Sequence, residues 1–275
     1  MADDRDSLAE ATEPEVNISG GADGGGTAAT FEPGTADTRA EAIVDRLGEL
    51  YWQKAYGGQA AFECLVRTIL SQNTSDVASQ PAHDDLMDRY GGDDLATSLA
   101  AATQDELAET IASAGLYNQK SSVIIEAASE IVAEFGGADG FDEFVKEAPP
   151  EAVRDRLLAI RGVGPKTADC VLLFAGGRDG VFPVDTHVHR IARRMGIAPP
   201  DADHETVREH LEAEIPPEKC GFGHTAMIQF GREYCSAREP ACLDGPEACP
   251  LYDRCDRVGI DELEGAAVDP ADADT

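Results

Sequence analysis

The sequence predicts an all-α protein. Between residues 39 and 258 apolar residues recur at helical spacing, and capping residues stand where the helices would begin. No stretch alternates apolar and polar residues for long enough to require a β-sheet. A chain of 275 residues can bury one large core or two smaller ones.

Two central helices illustrate the pattern. Thr103 followed by Glu106 predicts a capping box at the start of a helix that Gly115 ends. After the loop Leu116-Tyr117-Asn118, a second helix places apolar residues on one face. These residues are Val123, Ile124, Ala127, Ile131, Val132 and Phe135.

The two ends of the chain differ in composition from the middle. Residues 1–38 are rich in Ala, Gly, Thr and acids and predict a disordered segment, and residues 259–275 form a second acidic, Ala-rich tail. The N-terminus lacks the apolar core of a signal peptide, and the central apolar run at 170–175 is too short to cross a bilayer. We expect a soluble, cytoplasmic protein without a membrane partner.

The formal charge is −31, with 53 acidic and 22 basic residues. Such a surface can be no more than solvated and self-repelling, or it can be an adaptation to a salt-rich cytoplasm, where screening makes it tolerable. In either case the overall charge disfavours nucleic acid as a partner. A DNA-binding function would therefore have to depend on a local site.

A glycine-containing turn follows an amphipathic segment at 151–160. It reads Arg161-Gly162-Val163-Gly164-Pro165-Lys166 and precedes an apolar helix. Two glycines permit a tight turn and close approach of another molecule, and N–H groups at a helix start can hold a phosphate oxygen. Taken alone, the turn could equally be an ordinary connection between two helices.

The longer segment LLAIRGVGPKTADCVLL resembles the helix-hairpin-helix of the endonuclease III superfamily, whose pattern is close to LPGVGxKTA. Ile160 and Arg161 replace the usual Leu-Pro. The resemblance covers about residues 40–257, with four motifs in family order. It implies two helical domains with the active site between them: a six-helix domain at 59–180, and an iron–sulfur cluster domain formed by 39–58 and 181–258.

The resemblance implies two catalytic residues. Lys166 falls in the first turn of its helix, where the helix dipole and partial burial should lower its pKa and leave an amine able to form a Schiff base. A solvated or phosphate-bound lysine is the alternative. Asp185, in a VDTHxxR-like segment, would stabilise developing positive charge, and it also predicts a helix N-cap. His187 and His189 have no carboxylate or cysteine cluster beside them, which disfavours a metal site there.

Several residues are expected at the DNA. Residues 161–194 contain six basic and three acidic residues, a local balance of +3. The resemblance places the hairpin residues Gly162, Val163 and Gly164 at the DNA together with His187.

Two further loops match the family. In Leu70-Ser71-Gln72-Asn73-Thr74, either Gln72 or Asn73 would fill the gap left by a flipped nucleotide. In GLYNQK at 115–120, Leu116 would wedge into the base stack, or would instead be a buried leucine at a helix junction.

Four cysteines, Cys235, Cys242, Cys249 and Cys255, lie within 21 residues. Four thiolates suit a 4Fe–4S cluster or zinc, but zinc sites usually contain cysteine pairs two to four residues apart, and none occurs here. The family pattern is C-x6-C-x2-C-x5-C, and the middle spacing is four residues longer in this chain. The resemblance implies a 4Fe–4S cluster that positions Arg238 and Arg254 near DNA. We expect the other three cysteines to pack in the core.

The resemblance therefore implies a monomeric, nucleoid-associated DNA N-glycosylase and AP lyase. It would flip an oxidised pyrimidine out of double-stranded DNA and cleave 3′ to the abasic site. One alternative is a mismatch-specific glycosylase of the same superfamily, although such enzymes usually lack the hairpin lysine. The other is a non-catalytic helix-hairpin-helix DNA-binding protein with a structural cluster.

Overall fold

The computed structural model describes residues 16–17, 35–52, 57–74 and 76–273. Within these ranges the protein is predominantly α-helical, as predicted. None of the described helices is both long and apolar enough to span a membrane. The helices are α1 (Arg39–Gly48), α2 (Ala61–Ser71), α3 (Asp76–Tyr90), α4 (Leu95–Ala100), α5 (Gln104–Thr110), α6 (Tyr117–Phe135), α7 (Ala138–Glu147), α8 (Pro150–Leu158), α9 (Pro165–Phe174), α10 (Thr186–Arg194), α11 (His204–Glu214) and α12 (Pro217–Glu233).

Short strands pair near both ends of the described chain. β1 (Val16–Asn17) pairs in parallel with β2 (Tyr51–Trp52). β3 (Ile260–Asp261) pairs antiparallel with β4 (Ala266–Ala267). The expected disorder over residues 1–38 stays a prediction: Val16–Asn17 and 35–38 are described, while 1–15 and 18–34 lie outside the described residues.

The C-terminal segment is docked onto the helices and is not a free tail. The guanidinium of Arg193 is buried and donates to both carboxylate oxygens of Asp269, at 2.9 and 3.0 Å. A buried cation is stable only with a charged or hydrogen-bonding partner. Asp269 of this acidic segment therefore serves as the counter-ion of Arg193 on α10.

The N-capping half of the predicted capping box is confirmed. The hydroxyl of Thr103 accepts the backbone N–H of Glu106 at 3.4 Å and donates to the Glu106 carboxylate at 2.7 Å. The helix ends at Thr110, and a 3-10 turn (Ala112–Ala114) precedes Gly115, whose φ is 62°. The predicted apolar face of α6 packs in the core or against its edge.

Buried apolar side chains form two clusters. The first gathers side chains from α2 to α9, and the second gathers side chains from α1, α10, α11 and α12. The first region has eight helical segments against the six expected, because α4 and α5 are short segments with N-caps of their own. The clusters meet close to the predicted boundaries, and the division into two domains stays a prediction.

One ion network joins the two clusters. Arg154 of α8 donates to Asp169 of α9 at 2.7 Å and to Glu205 of α11 at 3.0 Å. Burial raises the pKa of Asp169, although Arg154 opposes that shift. The network fixes α9 of the first cluster relative to α11 of the second.

A buried ion triad provides a test of the second cluster. The ammonium of Lys219 on α12 donates to Glu41 at 2.7 Å and to Asp45 at 2.6 Å, both on α1. Lys219→Met leaves two buried carboxylates without their cation and should lower the free energy of unfolding by about 3 kcal/mol. Lys146→Met removes an equal charge from a more exposed pair and should cost about 1 kcal/mol or less. Equal losses in denaturant titrations would contradict the role of the triad.

Candidate active site and DNA-facing loops

The predicted hairpin is present between α8 and α9. Gly162 has a φ of 83°, and a Cβ there would lie 2.9 Å from the side chain of Val123. The fold therefore requires glycine at this position. Gly164, the N-cap of α9, has an ordinary φ of −99°, and a Cβ would meet nothing within 4 Å. The second glycine thus leaves its side of the turn open to another molecule.

Lys166 lies in the first turn of α9, one helical turn before Cys170. Burial lowers the pKa of Lys166, but Cys170 and Asp185 raise it, and the net shift is upward. The expectation of a lowered pKa is therefore wrong for the protein without DNA. It considered the helix dipole and burial but not the side chains that the fold brings next to the amine.

Asp185 is the N-cap of α10, and its carboxylate accepts the N–H of Val188 at 2.8 Å. This confirms the capping role. The residue precedes a helix of the second cluster, whereas Lys166 belongs to a helix of the first. The fold brings them close enough for the carboxylate to act on the pKa of the amine.

His224 of α12 is a neighbour of this pair that no sequence motif predicted. It is buried, and its ring lies 6.2 Å from that of Phe174 and 6.4 Å from that of Phe182. Burial and nearby Lys166 lower its pKa to about 4, which keeps the imidazole neutral at physiological pH. The residues that flank His224 in the sequence do not reveal that its side chain is buried near Lys166.

The other two histidines of interest have packing contacts. A Cβ on Gly231 of α12 would lie 2.6 Å from Nδ1 of His187, and Arg190 lies 3.2 Å from the same nitrogen. His187 thus packs α10 against α12. His189 stacks on His204 with a centroid separation of 3.9 Å, and its Nε2 contacts the carbonyl of Ala202.

The two candidate DNA loops present different side chains. Gln72 donates to the carbonyl of Gly162 at 3.2 Å and to the hydroxyl of Thr167 at 3.1 Å, so it braces the hairpin. Asn73 is exposed and has a left-handed φ of 51°. Leu116 also has a left-handed φ, 47°, and is 55% exposed. The alternative of a buried leucine at the helix junction is therefore wrong.

The four clustered cysteines line one small cavity. A guanidinium nitrogen of Arg194 lies 3.5 Å from Sγ of Cys235, and the backbone N–H of Arg257 lies 3.3 Å from Sγ of Cys255. The insertion between the second and third cysteines is accommodated by two short 3-10 turns on either side of Gly245. Among the described residues, no three His, Cys, Asp or Glu side chains are grouped to hold a single metal ion.

Comparison with known proteins connects this geometry to a family. The sequence model of HhH-GPD superfamily base excision DNA repair proteins matches residues 66–217. Endonuclease III of Thermotoga maritima is 32% identical over 195 residues, covering 71% of this chain and 82% of the relative. Endonuclease III of Bacillus subtilis is 31% identical, covering 70% and 80%. The chain belongs to the endonuclease III family.

Solved structures agree with this assignment. A trapped covalent intermediate of endonuclease III with DNA matches with a TM-score of 0.61 and 30% identity, covering 74% of this chain and 86% of that one. A thermostable thymine-DNA glycosylase matches with a TM-score of 0.62 but 20% identity, which shows a shared fold only. As a member of the endonuclease III family, the protein is a DNA glycosylase of base excision repair.

Most basic residues between 161 and 194 are engaged within the protein. Arg161 pairs with Glu126, and Arg178 donates to backbone carbonyls at the end of α7, including those of Val145 and Ala148. Arg193 pairs with the C-terminal segment, and Arg194 contacts the cysteine loop. The local balance of +3 therefore overstates the positive charge available to DNA in this endonuclease III family member.

The hairpin glycines provide a matched pair of substitutions. Gly162→Ala adds a Cβ against Val123 at a left-handed backbone position and should lower the free energy of unfolding by about 1–3 kcal/mol. Gly164→Ala meets no atom and should leave thermal stability nearly unchanged. Thermal unfolding of both variants checks this, and similar losses would contradict the distinction between the two glycines.

Proposed function

We propose that the protein is a bifunctional N-glycosylase and AP lyase that removes oxidised pyrimidines from double-stranded DNA. The observation that carries the proposal is that Asp185, at the start of α10, lies near enough to Lys166 on α9 for its carboxylate to raise the pKa of the amine. Support also comes from a similar solved structure, which is that of a trapped covalent intermediate of endonuclease III with DNA.

The chemistry begins with a proton transfer. Because the pKa of Lys166 is raised, its amine is protonated in the protein without DNA, and it must lose a proton before it can attack. Asp185 is the nearby carboxylate that can accept this proton. The amine then bonds to the sugar C1′ while the C1′–N bond breaks and the damaged base leaves with the electron pair and takes up a proton.

The C1′–O4′ bond of the covalent adduct then breaks, O4′ takes up a proton to become a hydroxyl, and a protonated imine forms between Lys166 and C1′. Its positive charge is balanced by the carboxylate of Asp185. Loss of a C2′ proton drives β-elimination, in which the C3′–O bond breaks and the 3′ phosphate leaves. Hydrolysis of the imine returns the free amine.

We assign the DNA-binding roles of the loops from the groups that each loop exposes. The turn formed by Gly162, Val163 and Gly164 would bind backbone phosphate through N–H groups at the start of α9. Asn73, and not Gln72, would fill the gap left by the flipped nucleotide, because Gln72 is bonded to the hairpin. Leu116 would wedge into the base stack.

We propose, from the cysteine spacing and the family resemblance, that the cysteine loop binds a 4Fe–4S cluster and not zinc. Around zinc, all four sulfurs lie about 2.3 Å from one ion, whereas each thiolate of a 4Fe–4S cluster binds a different iron. The four cysteines line one cavity, and N–H groups approach the sulfurs of Cys235 and Cys255. When bound, the cluster would cross-link the C-terminal loop and hold the exposed Arg238 and Arg254 near DNA.

Borohydride trapping tests the lyase chemistry. Wild type should form a covalent complex with abasic duplex DNA, and Lys166→Ala should form none because the imine nitrogen is missing. Asp185→Asn retains an N-capping side chain but should react about a hundredfold more slowly. Lys146→Ala, on α7, serves as the charge-matched control.

If Lys166→Ala nicks abasic DNA at the wild-type rate, the imine mechanism is wrong. Binding of damaged DNA without any trapped product in wild type would favour the non-catalytic alternative. Preference for an undamaged mismatched base over an oxidised pyrimidine would favour the mismatch-specific alternative.

The identity of the cofactor can be measured directly. Wild type purified in air should show visible absorbance and contain iron and sulfide. Cys242→Ser removes a cavity-lining thiol and should lose that absorbance, whereas Cys220→Ser alters a cysteine of the second core and should retain it. A colourless wild-type protein that contains zinc would contradict the proposal.

A further inference from the structure

Lys120 is a buried lysine at the start of α6. The residue is only 3% exposed, so it does not reach solvent or a DNA phosphate. Its ammonium donates to the carbonyl of Leu70 at 2.7 Å, to the hydroxyl of Thr74 at 2.7 Å and to the carbonyl of Ala114 at 2.9 Å. All three hydrogens of the ammonium therefore have an acceptor.

These acceptors belong to the two loops that carry the exposed DNA-facing side chains. Leu70 and Thr74 flank Asn73, and Ala114 lies two residues before Leu116. The hydroxyl of Thr74 also contacts the carbonyl of Ala114, which adds a direct bond between the loops. One ammonium and one hydroxyl thus fasten the first loop to the second.

The physical chemistry of the contact makes it rigid. Leu70 lies in the last turn of α2, where unpaired carbonyls carry partial negative charge and favour a cation. Burial lowers the pKa of Lys120, so the charged form depends on these three acceptors. Movement of either loop would leave the ammonium or a carbonyl unsatisfied inside the protein.

The backbone at the two tips is also constrained. Asn73 and Leu116 both have left-handed φ values, 51° and 47°. Asparagine adopts this region readily, but a leucine adopts it only when surrounding contacts impose it. The Lys120 contacts lie directly beside both positions. They fix the separation at which the two exposed side chains leave the protein surface.

We propose that Lys120 is a positioning residue for opening the DNA duplex: it locks the loops of Asn73 and Leu116 together so that both side chains enter the base stack as one unit. This inference rests on the proposed function. Lys120 touches neither substrate nor the reacting atoms and acts through the two loops. The family motif predicted a role for Leu116 alone, because two of the three acceptors of Lys120, Leu70 and Thr74, are distant in sequence.

The test compares opened and paired DNA. Borohydride trapping is measured on an abasic site in a duplex and on the same abasic site in a single strand, which needs no opening. For Lys120→Met, the ratio of duplex to single-strand trapping rates should fall about tenfold or more. A small displacement of a positioning loop lowers the reaction rate even when the substituted residue is far from the reacting atoms. Lys146→Met carries the same charge change and should keep the wild-type ratio.

A second readout does not depend on catalysis. 2-Aminopurine opposite a non-reactive abasic analogue should brighten when wild type opens the duplex, and it should brighten less with Lys120→Met. The double variant Lys120→Met/Leu116→Ala should give the same fluorescence increase as the more defective single variant. The reason is that both changes prevent Leu116 from entering the base stack. Additive losses would overturn the proposal.

Folding is controlled separately. If Lys120→Met unfolds, Thr74→Val removes only the hydroxyl link and should still lower the duplex to single-strand ratio. An unchanged ratio in a folded variant, or equal losses on both substrates, would overturn the positioning role. Failure of wild type to trap either substrate would contradict the proposed lyase instead, and the fluorescence assay would still test the loops.

Discussion

The arrangement of the candidate site depends on how Arg154 holds α9. This guanidinium joins the buried carboxylate of Asp169, three residues after Lys166, to Glu205 of the second cluster. Without that partner, Asp169 would be an uncompensated charge in the interior, which is among the costlier defects that a single change produces. The helix that carries the amine is thereby fixed relative to the cluster that carries Asp185.

The acidic surface places a constraint on DNA binding. At a charge of −31, and with most arginines of residues 161–194 engaged inside the protein, general attraction to phosphate is weak. Affinity would then come from short-range contacts, such as those proposed for the N–H groups of the hairpin and for the side chains of Asn73 and Leu116. Such contacts lose less affinity in salt than ion pairs do.

Three loops from distant parts of the chain form the edge that we propose faces DNA. Gln72 bonds the α2 turn to the hairpin, and Lys120 bonds the same turn to the loop before α6. The turn after α2 is therefore the common point of attachment. Asn73 in this turn and Leu116 in the neighbouring loop remain exposed, while the backbone beneath them is held by these hydrogen bonds.

The sequence by itself determined the features that depend on a few adjacent residues. The helical class, the capping box at Thr103, the turn at Gly162 and the N-cap at Asp185 all follow from backbone preferences and side chains within one helical turn. The family resemblance added the candidate catalytic pair and the cysteine ligands by motif.

Only the tertiary structure decided which groups are buried and what they face. Local reasoning gave the wrong direction for the pKa of Lys166, because the carboxylate of Asp185 and the thiol of Cys170 oppose the effect of burial. It also could not assign Gln72 to the hairpin, or find the buried side chains of Lys120 and His224. Cys170 lies one turn from Lys166 on the same helix, but Asp185 and the groups that bury the amine come from other elements, so the net pKa shift cannot be read from a local pattern.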